Sequence, residues 1–149
     1  MIQRDKVILT YYDVNNEISE EEIWVKNNGD NRYIVDNIPL FAPNLSYDDI
    51  ISVEKDGNIL YFDELIEASD NSTLQIIFFS RNTKIEMDLL KELEMLGCQW
   101  EGLKNGQYYA INIPKNINYM GVENILKKYV DKKILDYKES CLSKVHRCI

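Results

Sequence analysis

The chain has 149 residues and a formal net charge of −8, a length that suits one domain or two small subdomains sharing a core. At this size roughly 68–70% of the unfolded surface can be buried, so neither a metal nor a disulfide is needed as a staple. Ten tyrosines, four phenylalanines and two tryptophans exclude disorder, and no run approaches the roughly 18 apolar residues of a membrane-spanning helix.

Taken in order, Lys6 to Tyr12 is rich in β-branched and aromatic residues and reads as a first strand. Asn15-Asn16 marks a turn. Ile18 to Lys26 then places Ile23 and Val25 on one face and Trp24 on the other, the period of a half-buried strand. Asn27 to Asn31 is a loop of residues that tolerate positive φ, and Arg32 to Asp36 a third strand. Pro39 and Pro43 keep the next segment extended and outside any sheet interior. Ile50 to Glu54 and Ile59 to Ile66 flank Asp56-Gly57, which predicts a type I′ hairpin. Residues 1–72 therefore read as an all-β unit, a small barrel or curled sheet.

The second half has a different rhythm. Thr73 to Phe79 is apolar on both faces and suits a central strand. Asn82 or Thr83 caps a helix to about Leu96, with Ile85, Leu89, Leu90, Leu93 and Leu96 on its core side and Gly97 beyond its end. Gln99 to Leu103 and Gln107 to Ile113 flank Asn105-Gly106, a second hairpin signal. Asn118 caps a second helix with the stripe Val122, Ile125, Leu126, Tyr129 and Val130, and Ile134 to Glu139 is the last strand. The order is that of a ferredoxin-like βαββαβ unit over 73–140, followed by a C-terminal tail at 141–149. The fold class is α+β, a barrel-like half packed on this unit. With both helices on one face of the sheet, the other shows part of the set Ile77, Phe79, Tyr108 and Ala110. A patch of that kind is normally covered, here by the first half or by a second copy of the chain.

Charge divides along the same line. Residues 1–72 hold five basic and sixteen acidic side chains, a net of −11, and residues 73–149 hold twelve and nine, a net of +3. The acidic half repels nucleic acid and attracts basic surfaces. Its candidate partner-binding residues are Glu20, Glu21, Glu22, Asp48 and Asp49. Adjacent carboxylates on a strand point to opposite faces, so none of these pairs makes an acid–base dyad by proximity in sequence.

Catalytic and cofactor motifs are missing: no G-x-G-x-x-G, no phosphate-binding G-x-x-x-x-G-K-[ST], no H-E-x-x-H and no G-x-S-x-G. Cys141, His146 and Cys148 are the only soft ligands close together, and their spacing lacks the paired short intervals of a zinc site. They read as incidental groups on a frayed tail, so no catalytic residue, metal or cofactor is expected. Three widely spaced cysteines and the lack of a leader at Met1 to Lys6 point to free thiols in the cytoplasm. The stretch Gly106 to Ile113 does not meet the aromatic consensus of RNA-binding βαββαβ sheets, which disfavours nucleic acid as a partner.

Several short stretches resemble a bacterial family of domains of unknown function, number four-two-six-five in that series. They are Trp24-Val25, Arg32-Tyr33, Asn37 to Ala42, Tyr47 to Ile51, Asp56-Gly57, Glu67-Ala68-Ser69, Leu96-Gly97-Cys98, Ile111 to Pro114 and Tyr137 to Leu142. Their order and spacing carry the resemblance from about residue 20 to 142. Family members carry Ser-Gly-His where this chain has Ser69-Asp70-Asn71, so a role for that histidine does not transfer. The resemblance implies the architecture and a bacterial cytoplasmic setting, and no reaction. Two expectations follow: a non-enzymatic protein-binding module, resembling in size and charge an immunity-type inhibitor of a basic toxin, or a dimeric regulatory or small-ligand module using the open sheet face.

Overall fold

The computed structural model describes residues 4–147. Strands β1 (Arg4–Tyr12), β2 (Ile18–Asn27), β3 (Arg32–Val35), β4 (Ile50–Asp56) and β5 (Ile59–Glu67) form a closed barrel in chain order. Each neighbouring pair is antiparallel. An odd number of alternating strands leaves the first and last running the same way. The barrel therefore closes through a parallel pairing, Val7 with Leu60 and Ile8 with Tyr61. Two register shifts between β4 and β5 supply the extra bend that closure needs. Val7, Leu9, Ile23, Val25, Tyr33, Val35, Ile51 and Val53 fill the interior, the inward halves of alternating strands.

The β4–β5 hairpin lies one residue beyond its predicted centre. Asp56 pairs with Ile59, so Gly57 and Asn58 form the turn, and of the two only Gly57 has positive φ (62°). That is the requirement of a II′ turn, not of the I′ turn that Asp56-Gly57 suggests.

Strand β6 (Ser72–Phe78), helix α1 (Thr83–Leu96), strands β7 (Gln99–Gly102) and β8 (Tyr108–Ile113), helix α2 (Tyr119–Asp131) and strand β9 (Leu135–Cys141) follow. They build a four-stranded antiparallel sheet ordered β7-β8-β6-β9. The chain is thus α+β, with two antiparallel strand systems and two helices. Asn82 caps α1 by accepting from Ile85 N–H, and Asn118 caps α2 by accepting from Met120 N–H. Leu74, Ile76 and Phe78 of β6 share one face, where they pack with Leu89, Leu90 and Leu93 of α1 and with Val122 and Leu126 of α2. Both helices therefore bury one side of the sheet. The other side carries Thr73, Gln75, Ile77, Tyr108, Ala110 and Asn112 and faces the barrel half.

The β7–β8 connection is longer than a two-residue hairpin. Gly106 N–H bonds Leu103 C=O, and Gln107 takes a positive φ so that its N–H meets Glu86 Oε1 at 2.9 Å. Glu86, on the first turn of α1, also accepts from Arg81 Nη1 (2.6 Å), Asn82 N–H (2.9 Å) and Tyr109 O–H (2.6 Å). Its side chain is fully buried. Burial alone would raise its pKa. The bonds from Tyr109, Gln107, Asn82 and Arg81 outweigh that and hold it down at about 2.

Candidate functional site

The segment between β3 and β4, residues 36–49, runs as a strap over the helix-free face of the sheet. Gln75 Nε2 donates to the carbonyls of Leu40 (3.0 Å) and Phe41 (3.2 Å), and Tyr108 O–H donates to Leu40 C=O. Ile38 N–H reaches Glu101 Oε2 at 2.8 Å, and Asn44 N–H reaches Ser140 C=O at 3.0 Å. Ser46 and Thr73 hydroxyls meet at 2.8 Å. The two prolines explain why this strap adds no strand of its own, and the sheet's exposed polar groups give it its partners.

Glu21 holds the strap from the barrel side. Its carboxylate accepts from Leu40 N–H (2.6 Å), Phe41 N–H (3.0 Å) and Ala42 N–H (2.9 Å). Strand alternation puts it there: Glu21 pairs with Leu9 and shares the inward side of β2 with Ile23 and Val25. Phe41 is thereby placed between Tyr108, at 5.2 Å between ring centroids, and Tyr11, at 6.4 Å, all nearly parallel.

Beside this stack opens a cleft of about 640 Å³ between the β1–β2 hairpin and the sheet. Tyr11, Tyr12, Val14, Phe41, Pro43, Ile77 and Tyr108 provide its apolar wall, and Asp13, Ser19, Gln75, Asp136 and Lys138 its polar groups. The hairpin is held by Asp13, whose Oδ1 accepts from the N–H groups of Asn15 and Glu17 and whose Oδ2 accepts from Ser19 O–H. Burial and the nearby Glu21 carboxylate both raise the pKa of Tyr108 and of Tyr11, so each phenol keeps its proton. The site offers shape, aromatic surface and a few fixed polar groups.

The five candidate residues of the acidic half occupy different environments. Glu20 and Glu22 lie on the outer side of β2, exposed, with Glu22 3.4 Å from Lys6. Glu21 is turned inward and engaged as described. Asp48 is exposed at a positive φ, beside Asp49, which is only 2% exposed and accepts from Ser46 N–H and Ser69 N–H at 2.8 Å each. Burial outweighs those bonds and raises the pKa of Asp49. Glu21 and Asp49 are thus internal struts of the loops, and Glu20, Glu22 and Asp48 are the members of the set that reach solvent.

The frayed-tail reading of the last residues needs correction as far as Arg147. His146 is 5% exposed. Its Nδ1 lies 2.6 Å from Ser72 Oγ and its Nε2 3.1 Å from Pro114 C=O, and the ring stacks on Tyr119. Ser143 N–H also donates to Ser72 Oγ at 2.9 Å. Both ring nitrogens are engaged, so the histidine clasps β6, the end of β8 and α2 together. Among the described residues no group of three His, Cys, Asp or Glu side chains converges as metal ligands. Cys148 lies outside the described residues, Cys98 is a buried free thiol and Cys141 a partly buried one. No helix of the described residues is long and apolar enough to cross a membrane.

The cleft itself was missed in the sequence. Its rings come from β1, β8 and a loop, and their convergence depends on how the halves dock. The signals available were Ile77 and Tyr108 on the open sheet face, which both line the cleft, and Glu21, a charged residue at an inward position of an alternating strand.

Comparison with known proteins places this geometry among similar chains. No curated protein matches. A crystal structure of a hypothetical protein from Neisseria gonorrhoeae superposes with a TM-score of 0.84 at 33% identity, covering 95% of this chain and 96% of that one. Residues 21–137, which run from within β2 to the start of β9 and include the strap, match the family model described as Domain of unknown function (DUF4265). The chain belongs to that family.

Proposed function

We propose that the protein is a non-enzymatic small-ligand-binding module whose site is the cleft between the barrel and the sheet. The observation that carries this reading is the 640 Å³ concavity walled by Tyr11, Tyr12, Phe41, Ile77 and Tyr108, with only a few polar groups among them. Cleft size and lining of this kind are typical of small-molecule sites. The wall is preorganised, because Phe41 N–H donates to the Glu21 carboxylate and Tyr108 O–H donates to Leu40 C=O. We read the C-terminal half as a ferredoxin-like unit, on its element order and its strand order β7-β8-β6-β9. Free thiols at Cys98 and Cys141 favour the cytoplasm.

The test is an amide-resolved NMR screen of small aromatic compounds against the intact chain. Bound ligands should shift the amides of Tyr11 to Val14, Phe41 and Asp136 to Lys138. Ile77 is 49% exposed, so Ile77→Trp should fill the cleft, leave the fold intact and abolish those shifts. A library that moves no amide of this set, or hits indifferent to Ile77→Trp, would remove the reading.

A second reading is a protein-binding module, of the immunity-inhibitor type, that offers Glu20, Glu22 and Asp48 to a basic partner. The net charge of −11 over residues 1–72 favours it. Reversing those three charges should weaken capture of a basic toxin-like protein and remove its salt dependence. Capture unchanged by the reversal discards it.

A further inference from the structure

We propose that the cleft selects a small aromatic ammonium ion, a proposal that rests on the cleft being a ligand site. Three ionisable side chains other than tyrosine line it: Asp13, Asp136 and Lys138. Carboxylates outnumber the ammonium two to one. A third carboxylate, Glu21, lies behind the ring stack, close enough to bear on both Tyr11 and Tyr108.

The two lining carboxylates are held differently. Backbone bonds from Glu17 and Asn15 hold Asp13 below the ordinary aspartate range. Asp136 is exposed, takes one backbone bond through Oδ1 from Tyr137 N–H, and forms no ion pair among the described residues. Asp136 and Lys138 alternate onto the same side of β9, opposite Ile77 and Gln75. Lys138 therefore answers at most one of the carboxylates, and the cleft keeps a negative bias.

The wider field has the same sign. The hairpin and the strap belong to the half that carries −11, and the molecule as a whole carries −8. A concave, low-dielectric wall concentrates such a field at its mouth. A ring face turned to the ligand would add to this attraction, because an aromatic face is the negative pole of its quadrupole. Flat apolar area suits the stacked wall and an ammonium group suits Asp136. An anion of the same shape would meet two carboxylates to reach one lysine.

The experiment uses three probes built on one ring: benzylammonium, benzyl alcohol and benzoate. Each is titrated into the intact chain at low salt while the amides of Tyr12, Phe41 and Asp136 are followed by NMR. Benzylammonium should bind tightest, roughly 3- to 5-fold better than benzyl alcohol, with benzoate weakest. Asp136→Asn should shrink that preference toward unity, and Lys138→Gln should widen it about 3-fold. Both positions are exposed, so neither variant threatens the fold. Equal binding of the alcohol, tighter binding of benzoate, or a preference untouched by Asp136→Asn overturns the charge selection while leaving the cleft as a ligand site. Shifts from none of the three overturn both.

Discussion

Replacing Glu86 by glutamine should cost about 3 kcal/mol and flatten the acid limb of the stability profile. The carboxylate is fully buried and accepts four bonds, from Arg81, Asn82, Gln107 and Tyr109. Glutamine keeps the shape but turns an N–H₂ toward one of those donors, and it gives Arg81 no charge to meet. The magnitude follows from proton linkage. The folded pKa of about 2, against an ordinary 4.5, is a difference of about 2.5 units, and each unit is worth about 1.4 kcal/mol. Because the folded value is depressed, this stability is present in full above about pH 4.5 and is lost as pH falls through about 2. At pH 3 about 2 of the 3 kcal/mol is already gone, since the unfolded carboxylate is protonated there and the folded one is not. Urea unfolding of both proteins between pH 7 and pH 3 measures this directly. The stability gap should be widest at neutral pH and narrow to about 1 kcal/mol at pH 3. A gap below 1 kcal/mol at neutral pH, or two parallel profiles, would refute the assignment of Glu86 as a charged strut.

Three further outcomes are expected. Glu21→Gln leaves strap N–H groups without their charged acceptor, so it should destabilise by roughly 2–3 kcal/mol and speed hydrogen exchange at Leu40, Phe41 and Ala42 ahead of the rest of the chain; uniform exchange would count against a strap role. His146→Ala removes the partner of Ser72 and Pro114, and should lower stability by roughly 2 kcal/mol in urea unfolding, whereas a frayed tail predicts no change. Burial pushes the Cys98 thiol up to about 11, so at pH 8 only on the order of one thiol in a thousand is ionised. Peptide mapping after brief alkylation of the native protein should leave Cys98 unmodified, and rapid labelling would show that it is not buried.

Strand and helix placement was legible where one local cause decides it. Asn82, Asn118 and Gly97 announce helix ends because their side chains or backbone freedom satisfy groups that no helix can satisfy for itself. Ile23 and Val25 announce a barrel wall through period two. Turn geometry was less legible. Gly57 supplies positive φ at either register of the β4–β5 hairpin, and cross-strand pairing of Asp56 with Ile59 chooses between them. Gln107 takes a conformation its type disfavours because Glu86, twenty-one residues away, rewards it with a bond. His146 was illegible for the same reason: its partners Ser72 and Pro114 are distant in sequence, and proximity to a terminus is a poor guide to burial.

The acidic residues show how charge counting and site prediction part company. Composition treats Glu20, Glu21 and Glu22 alike, yet a pleated strand cannot, since successive side chains alternate across the barrel wall. Glu20 and Glu22 stay in water, where an ion pair such as Lys6–Glu22 contributes little. Glu21 goes inward among Leu9, Ile23 and the strap, and a carboxylate there is tolerable only if donors meet it. Three backbone N–H groups do so, and meeting them fixes Phe41 against Tyr108. The same carboxylate also adds negative potential at the rings it positions. Shape and charge of the cleft are therefore coupled through one residue, and Glu21→Gln should alter the cleft's selectivity as well as its order.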